Sequence, residues 1–279
     1  MSFVDTRKML KDAQAGGYAV GAFNVENLEM IQAVISAAEK EYSPVILQTT
    51  PSTLTYASPE AFSGAARAIA QTAAVPVALH LDHGNSFDLA VKSKNAGYSS
   101  VMIDGSLLPF EENIALSASV VKACAPLPVE AELGTVGGKE DSHSASVSYT
   151  DPAQAAEFVT GTGISSFAPA IGTAHGVYAS EPNINLSLLE EIAGKVSVPL
   201  VLHGTSGVPD ETVRECIKRG ICKVNYATEL RITFTNAVRN TLGADDKMFD
   251  PKKYLGKARE AVENRVRELI NLCGSNGKA

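Results

Sequence analysis

The sequence predicts an α/β fold in which eight short strands alternate with helices and form one parallel sheet. Apolar, β-branched segments recur along nearly the whole chain, and helical patterns lie between them. The segments are mostly apolar throughout, which is typical of strands in a sheet that helices cover. No linker, low-complexity segment or shift in composition marks a second domain in the 279 residues. We therefore predict a single-domain (β/α)8 TIM barrel over residues 1–279.

The predicted elements follow one another in regular βα order. Strands are predicted at 18–24, 44–49, 75–81, 99–103, 127–133, 164–171, 198–203 and 221–226. Helices are predicted at 26–41, 59–72, 110–124, 152–162, 186–195 and 209–219. Prolines mark several helix starts (Pro59, Pro152, Pro209), and glycines mark several helix ends (Gly97, Gly163, Gly220). An open, doubly wound sheet is the alternative, but no G-x-G-x-x-G follows the first strand to support a dinucleotide-binding form.

Composition narrows the functional classes. The formal net charge is −7 and the basic residues are scattered, so a nucleic-acid-binding surface is not expected. No segment approaches the roughly 18 apolar residues of a membrane span. The first residues lack the apolar stretch and cleavage site of a signal peptide, so we expect a cytoplasmic protein. The four cysteines show no CxxC spacing and are expected to be reduced.

Polar side chains stand at or just past the end of every predicted strand. They are Asn24, Thr50, Asp82, His83, Asp104, Glu130, Glu132, His175, His203 and Asn225. In a TIM barrel the catalytic groups come from the C-terminal ends of the strands. We therefore expect these side chains to share one rim of the barrel.

Three of the five histidines, His83, His175 and His203, follow three different strands. One such histidine would more often be structural, but three at one rim favour a metal site. Zinc suits three nitrogen ligands with an open position, and cobalt, iron or manganese are alternatives because imidazole discriminates poorly among them. His80 is interpreted either as a buried or supporting histidine or as a catalytic residue.

The carboxylates supply acid/base candidates. Asp82 precedes His83 directly, which places an acid/base group near the metal without making it a ligand. Asp104 and Glu132 are expected to hold a second cation or to orient the histidines, and Asp104 is alternatively a helix N-cap. Glu130 and Glu132 share one face of a strand, and a buried acidic pair requires a nearby positive charge.

Two segments favour anion binding. HGTSG at 203–207 follows the seventh strand, and NYAT at 225–228 follows the eighth and leads into a helix. Thr228 is predicted to be the N-cap of that helix. Phosphate sites of TIM barrels commonly lie in these two loops, at a helix N-terminus. The polar stretch 134–149 is too long for a plain βα turn and is expected to be a functional loop.

These motifs together resemble the class II aldolases. The similarity is carried by LDHG (81–84), MIDGS (102–106), VEAELGTVGGKED (129–141), IGTAHGVY (171–178), PLVLHGTSGVP (199–209) and KVNYATE (223–229). It runs essentially from end to end. It implies a zinc-dependent lyase of carbohydrate metabolism that cleaves fructose- or tagatose-1,6-bisphosphate to dihydroxyacetone phosphate and glyceraldehyde 3-phosphate through a zinc-stabilised enediolate. It also implies a homodimer or homotetramer.

The resemblance assigns roles by position. It implies zinc ligands at His83, His175 and His203, a second or alternative metal position at Asp104 and Glu132, and proton transfer by Asp82 and Glu140. It implies substrate contacts at Asn24, Thr50, Gly176, Gly204, Thr205, Ser206, Asn225, Tyr226, Ala227 and Thr228, with a monovalent cation (Na+ or K+) nearby. An arginine of a neighbouring subunit would meet the distal phosphate, and Arg259, Arg265 and Arg267 are the candidates.

The substrate is not fixed by the motifs. NYATEL and TAHGVY resemble the tagatose branch, whereas LDHGNSF, TVGGKED and GSNGKA resemble fructose enzymes, and tagatose enzymes often carry a second histidine where Gly84 stands. We retain a slight preference for tagatose. Another phosphorylated ketose, a deoxy-keto sugar acid and a non-catalytic sugar-phosphate-binding subunit are alternatives. So are a metal-dependent hydrolase and a Schiff-base aldolase, for which Lys223 is the only lysine in a predicted strand.

Overall fold

The computed structural model shows a closed barrel of eight parallel strands surrounded by helices, which confirms the predicted (β/α)8 fold. It describes residues 3–140, 143–145, 148–176, 178 and 182–279, without the side chains of 137–140 and 143–145. In chain order the described strands are β1 (Val20–Asn24), β2 (Val45–Thr49), β3 (Val77–Gly84), β4 (Ser100–Ile103), β5 (Val129–Leu133), β6 (Gly137–Glu140), β7 (His143–Ala145), β8 (Ser166–Pro169), β9 (Ala174–His175), β10 (Leu200–Leu202) and β11 (Ile221–Tyr226).

The barrel has the strand order β1-β11-β10-β8-β5-β4-β3-β2, and β1 pairs with both β11 and β2 to close it. Seven of the eight barrel strands lie within predicted segments, whereas β3 continues to Gly84, three residues past the predicted end at 81. The remaining three strands form a separate sheet in the order β7-β6-β9. The sequence patterns did not predict that sheet, because its strands are only two to four residues long.

The helices lie outside the barrel or at its ends. They are α1 (Thr6–Gly16), α2 (Leu28–Glu41), α3 (Pro51–Ala57), α4 (Pro59–Ala70), α5 (Phe87–Asn95), α6 (Phe110–Cys124), α7 (Pro152–Thr162), α8 (Leu186–Lys195), α9 (Asp210–Lys218), α10 (Thr228–Ala244) and α11 (Pro251–Cys273). The six predicted helices are confirmed to within two residues, and α10 is the helix expected after the NYAT motif; α1, α3, α5 and α11 are additional. Within the described ranges, no helix has the length and apolarity needed to cross a bilayer.

The predicted N-cap at Thr228 is wrong. Thr228 is the first residue of α10, and Ala227 occupies the cap position without a side-chain hydrogen bond. The reason is the short connection: β11 ends at Tyr226, so a single residue separates strand from helix. Thr228 therefore stands inside the first turn, where its backbone N–H belongs to the unsatisfied set at the helix start.

Inward-facing residues change from apolar to polar along the strands. At the strand starts, Val20, Ile46 and Ala78 pack in one cluster with Met9 and Leu10 of α1, which closes that end of the barrel. Other inward positions carry polar side chains, such as those of His80, Glu130 and Lys223, which are buried. Polar side chains therefore occupy the barrel interior beside the apolar layer that α1 closes.

Outward-facing strand residues form the main core with the surrounding helices. Phe23, Leu79 and Phe167 belong to this cluster, together with helix residues such as Phe158 and Val262, and all are fully buried. Burying one side chain of this size contributes roughly 1.5–3 kcal/mol relative to exposure. The four cysteines (Cys124, Cys216, Cys222, Cys273) are free and buried.

A β-bulge ends β3. Leu81 pairs with Val101 but Gly84 pairs with Ile103, so three steps on β3 oppose two on β4. His83 within the bulge has φ 47°, a left-handed conformation that side chains rarely adopt. Strict alternation would send the side chains of Asp82 and His83 to opposite faces of the sheet. The bulge re-aims His83 along the barrel rim.

Candidate metal and substrate site

The three predicted histidines meet at the C-terminal rim. Potential ligand atoms of His83, His175 and His203 all lie within 4.8 Å of one another. The ring centroid of His83 lies 4.9 Å from that of His175 and 4.5 Å from that of His203. Imidazoles from three separate strand ends thus share one small volume, although they are far apart in the sequence.

Two of these rings are hydrogen-bonded to carboxylates on the side away from the other imidazoles. Nδ1 of His83 lies 2.8 Å from Oδ2 of Asp104, and Nε2 of His203 lies 2.9 Å from Oε1 of Glu130. A carboxylate only accepts hydrogen bonds, so these two nitrogens are the donors. The other nitrogens of the two rings, Nε2 of His83 and Nδ1 of His203, are 2.8 Å apart.

That tautomer assignment is a test of whether the residues fit a metal. With their N–H groups directed at carboxylates, His83 and His203 turn two lone pairs toward each other. Facing lone pairs at this distance repel; a cation bound by both relieves the repulsion, and the Asn225 amide, 3.2 Å from Nδ1 of His203, is the donor that the structure itself places there. Burial lowers the pKa of His203, which favours the neutral imidazole that metals require. The donor set therefore fits a zinc-type ion.

Glu130 receives its counter-charge from Lys223. The Lys223 ammonium is completely buried and lies 3.1 and 3.0 Å from the two oxygens of Glu130. Burial raises the pKa of Glu130, but Lys223 and the hydrogen bond from His203 outweigh that effect, and the pKa falls well below its usual range. His80, whose Nδ1 lies 2.8 Å from the Ser100 hydroxyl, is buried beside this pair.

A second potential metal group shares His83. Ligand atoms of His83, Asp104 and Glu132 lie within 4.8 Å of one another. Burial raises the pKa of Asp104, but the hydrogen bond from His83 and further interactions outweigh it and lower the pKa below the usual value. Glu132 is buried, and its Oε1 accepts a hydrogen bond of 3.3 Å from the Val136 amide.

Asp82 is oriented by two amide side chains. Nδ2 of Asn24 donates to Oδ2 at 2.9 Å, and Nδ2 of Asn225 donates to Oδ1 at 3.1 Å. Gln48 in turn donates to Oδ1 of Asn24 at 2.7 Å, which fixes that amide. Asp82 is 1% exposed as a residue yet lines the pocket beside His203. It therefore presents a rigid carboxylate to whatever occupies the pocket.

One pocket joins His175 and His203 to the predicted anion cradle. Its described lining comprises Asn24, Asp82, His175, Gly176, His203, Gly204, Thr205, Ser206, Asn225, Ala227, Thr228 and Arg231. Gly204 has φ 65°, and a Cβ there would lie 2.7 Å from the Ala174 carbonyl oxygen, so only glycine fits. The start of α10 adds backbone N–H groups, which favour an anion.

Tyr178 fixes the cradle against the strand of His175. Its hydroxyl donates to the Gly204 carbonyl at 2.7 Å and accepts from the Ala174 amide at 2.7 Å. The loop after β10 and the strand β9 are thereby tied together. This contact sets the spacing between the cradle and His175.

The predicted functional loop contains β6 and β7. β6 pairs antiparallel with β7 and parallel with β9, and Gly138 stands opposite His175. Glu140 is the last residue of β6, and its side chain lies outside the described part of the structure. The backbone thus brings the segment of Glu140 to the strand of His175.

Some predicted residues lie elsewhere. The ring of Tyr226 is buried against Phe23, with centroids 5.6 Å apart, and Thr50 is buried beside Thr53; neither lines the described pocket. Each C-terminal arginine contacts its own chain: Arg259 binds Gln32, Arg265 binds Glu229, and Arg267 binds Glu41.

Sequence reasoning missed the support of His203 by Glu130 and Lys223, and it missed Arg231. Both Glu130 and Lys223 stand at inward positions of predicted strands. The alternation of inward and outward side chains could therefore have predicted that they meet inside the barrel. Arg231 lies one turn after Thr228 on α10, so helical spacing from the NYAT motif pointed to it.

A family model and several solved structures match this chain, and all of them are aldolases. The class II fructose-bisphosphate aldolase family model matches residues 4–278. The YdjI aldolase of Escherichia coli K12 is 42% identical, with a TM-score of 0.90 over 99% of each chain. A proposed fructose-1,6-bisphosphate aldolase of Coccidioides immitis is 30% identical, with a TM-score of 0.89 over 97% of this chain and 96% of its own. The fructose-bisphosphate aldolase of Campylobacter jejuni, at 23% identity, shares the fold, with a TM-score of 0.87 over 100% and 97%.

Proposed function

Because the chain belongs to the class II fructose-bisphosphate aldolase family, whose members are lyases, we propose that it is a zinc-dependent aldolase. The proposed reaction is the reversible cleavage of a ketose 1,6-bisphosphate to dihydroxyacetone phosphate and glyceraldehyde 3-phosphate. One observation carries the proposal: three imidazoles, a rigid carboxylate and an anion cradle lie at a single rim of the barrel.

His83, His175 and His203 would hold the zinc ion, with Asp104 and Glu130 fixing two of the rings. When bound, zinc supplies Lewis-acid polarisation of the substrate ketone. Buried carboxylates behind imidazoles raise ligand basicity and restrict ring rotation. The role of the protein is therefore to keep the three nitrogens neutral and pre-oriented.

Asp82 is the proposed base for cleavage. It takes the proton of the C4 hydroxyl as the C3–C4 bond breaks, and the electron pair of that bond moves toward the C2 carbonyl. The C4 fragment leaves as an aldehyde. The amides of Asn24 and Asn225 support this role because they hold both carboxylate oxygens in place before the substrate arrives.

Glu140 is the proposed acid that returns a proton to C3, and in the synthetic direction it removes that proton. Its position on β6, next to the strand of His175, supports the assignment. A group on this loop would also cover the pocket and exclude water from the carbanion-like intermediate.

The cradle is the proposed site of the C1 phosphate. The Ser206 hydroxyl, the glycine-rich backbone after β10 and the start of α10 supply neutral hydrogen-bond donors. The rival Schiff-base chemistry is disfavoured by the position of Lys223. Its ammonium is completely buried and bound to both oxygens of Glu130, so it is unable to reach a ketone in the pocket.

The test is a cleavage assay on purified, zinc-loaded protein with tagatose 1,6-bisphosphate and fructose 1,6-bisphosphate side by side. We expect release of dihydroxyacetone phosphate from both, with a modestly higher kcat/KM for tagatose 1,6-bisphosphate. A higher kcat/KM for the fructose compound would reverse the branch assignment. No release from either substrate would contradict a ketose bisphosphate as the substrate.

A further inference from the structure

The start of α10 is capped by a residue from another loop. Ala227 occupies the cap position without a side-chain hydrogen bond. Instead, Oγ of Ser206, in the loop after β10, accepts a hydrogen bond of 3.4 Å from the backbone amide of Glu229. Ser206 also lines the pocket, so one side chain joins the first turn of α10 to the cradle. The geometry of the cradle therefore depends on how that turn is held.

Arg265 of α11 holds the first turn of α10 through Glu229. Its Nε donates to Oε2 of Glu229 at 2.7 Å, and its Nη1 donates to Oε2 of Glu268 at 2.6 Å. The side chains of Arg265 and Glu229 are 37% and 18% exposed, and pairs near the surface add little to stability. Neither residue belongs to the described lining of the pocket. Any effect of the pair on a ligand therefore passes through Ser206 and the helix start.

Glu229 places a negative charge beside a site that is suited to an anion. Burial raises the pKa of the Glu229 carboxyl, the like charge of Asp210 on α9 adds to the rise, and Arg265 and the hydrogen bond with Ser206 oppose it. A partly buried carboxylate next to the cradle repels a phosphate, because charges interact strongly where water is partly excluded. The guanidinium of Arg265 compensates this charge.

The hydroxyl of Ser206 has one proton and two acceptors that compete for it. A serine hydroxyl has a single O–H donor and two lone pairs, and one lone pair receives the Glu229 amide. The proton is shared with the Glu229 carboxylate, as the lowering effect of Ser206 on the Glu229 pKa shows. A carboxylate bound to a guanidinium competes for that proton more weakly than an uncompensated one. A phosphate in the cradle is then able to take it.

We propose that Arg265 is a positioning residue of the phosphate cradle: it compensates Glu229 and thereby leaves the Ser206 hydroxyl free to donate to a phosphate monoester. The inference rests on the proposed function, which places the C1 phosphate in this cradle. Arg265 acts within its own chain and on this phosphate, whereas the family resemblance would give a C-terminal arginine to the distal phosphate of a neighbouring subunit.

The test is a calorimetric titration of the zinc-loaded protein with glycerol 3-phosphate, which carries a phosphate monoester but no ketone. The wild type should bind it, and Ser206→Ala should weaken binding about tenfold, which locates the ligand in the cradle. Arg265→Gln should also weaken binding about tenfold, because Glu229 keeps both its charge and the Ser206 proton. Arg265→Lys should retain most of the affinity, since it keeps the charge.

The double variant Glu229→Gln/Arg265→Gln separates an indirect role from a direct one. It should recover most of the affinity lost in Arg265→Gln, because a neutral amide does not repel the phosphate. Glu229→Gln alone should keep or raise the affinity. Arg219→Gln, which removes a similarly exposed arginine paired with Glu215 on α9, is the matched control and should bind as the wild type does. In aldol synthesis, Arg265→Gln should raise KM for dihydroxyacetone phosphate and leave kcat unchanged.

Two outcomes would overturn the inference and leave the cradle in place. One is an unchanged dissociation constant in Arg265→Gln. The other is a loss in Arg265→Gln that persists in the double variant, which would make Arg265 a structural tie or a ligand in its own right. Thermal unfolding establishes that each variant is folded at the titration temperature. If the proposed cradle itself is wrong, the wild type binds no glycerol 3-phosphate, or Ser206→Ala binds it as tightly as the wild type does.

Discussion

At the residue scale, orientation is set before any ligand binds. Asp82 accepts hydrogen bonds on both oxygens, and His203 donates to a carboxylate that carries its own buried counter-ion. Each contact removes a rotational freedom that a reacting group would otherwise lose during the reaction. The reactive side chains are therefore best tested by changes that keep their shape.

Asp82→Asn should lower kcat by about a hundredfold or more, because an amide cannot take the C4 hydroxyl proton and general-base catalysis contributes on that order. Zinc content should stay at the wild-type level, since Asp82 is not a proposed ligand. Steady-state cleavage kinetics and metal analysis check both points. The exposed Asp88→Asn on α5 is the matched control. Wild-type turnover in Asp82→Asn would remove Asp82 from the mechanism.

Lys223→Met should destabilise the protein by roughly 3–5 kcal/mol, because Glu130 would be left as an uncompensated buried charge. Zinc affinity should also fall, by about tenfold to a hundredfold, as His203 loses its fixed partner. Urea unfolding and chelator competition measure the two effects.

The double variant Glu130→Gln/Lys223→Met should recover part of the lost stability, since a neutral amide needs no counter-charge. Lys218→Met, an exposed lysine paired with Glu215, serves as the control. Equal effects of Lys223→Met and Lys218→Met would show that the buried pair has no special role.

At the element scale, the bulge of β3 determines where two site residues, Asp82 and His83, are placed. It adds one residue relative to β4 and holds His83 at φ 47°, so that consecutive residues, Asp82 and His83, both serve the rim. Gly84 makes the bulge fit, because a Cβ there would lie 2.3 Å from the Met102 carbonyl oxygen. The second histidine often found at this position in tagatose enzymes does not fit this backbone.

Gly84→Ala should therefore destabilise the protein by about 1–3 kcal/mol through overpacking against β4. It should also weaken zinc binding, since the bulge positions His83. Gly64→Ala is the control: Gly64 lies in α4 with open space around its Cβ position, and alanine there should stabilise the helix. Calorimetry measures the stability of each variant, and metal titration measures its zinc affinity. If Gly84→Ala changed neither, the backbone of β4 would be able to shift and accommodate the added methyl group.

The barrel strands were predictable because each lies in a mostly apolar segment between clear breaks. The bulge and the small sheet of β6, β7 and β9 were not, since they depend on pairings between distant segments or on very few residues. Helix α1 was missed although its signals are local: Asp5 caps it, and Met9, Leu10 and Ala13 form its buried face. The same holds for the site. Strand-end position sufficed to find the three histidines, whereas the pairing of Glu130 with Lys223 joins residues 93 positions apart.

At the scale of the whole molecule, the chemistry is expected to depend on metal and not on an imine. EDTA should abolish cleavage, and added zinc should restore it. Borohydride with dihydroxyacetone phosphate should leave activity intact, because Lys223 is held by Glu130 inside the barrel. Activity that resists EDTA but is lost to borohydride would reverse this assignment.

The pairing of Gly138 with His175 couples ion binding at His175 to the ordering of β6. One backbone ladder connects the segment of Glu140 to the residue of a proposed ligand imidazole. Whatever free energy a bound ion gains by fixing His175 is therefore shared with β6, and by thermodynamic reciprocity an ordered β6 strengthens ion binding by the same factor. Hydrogen exchange of the β6 amides would then report occupancy at the opposite end of the ladder, without any turnover.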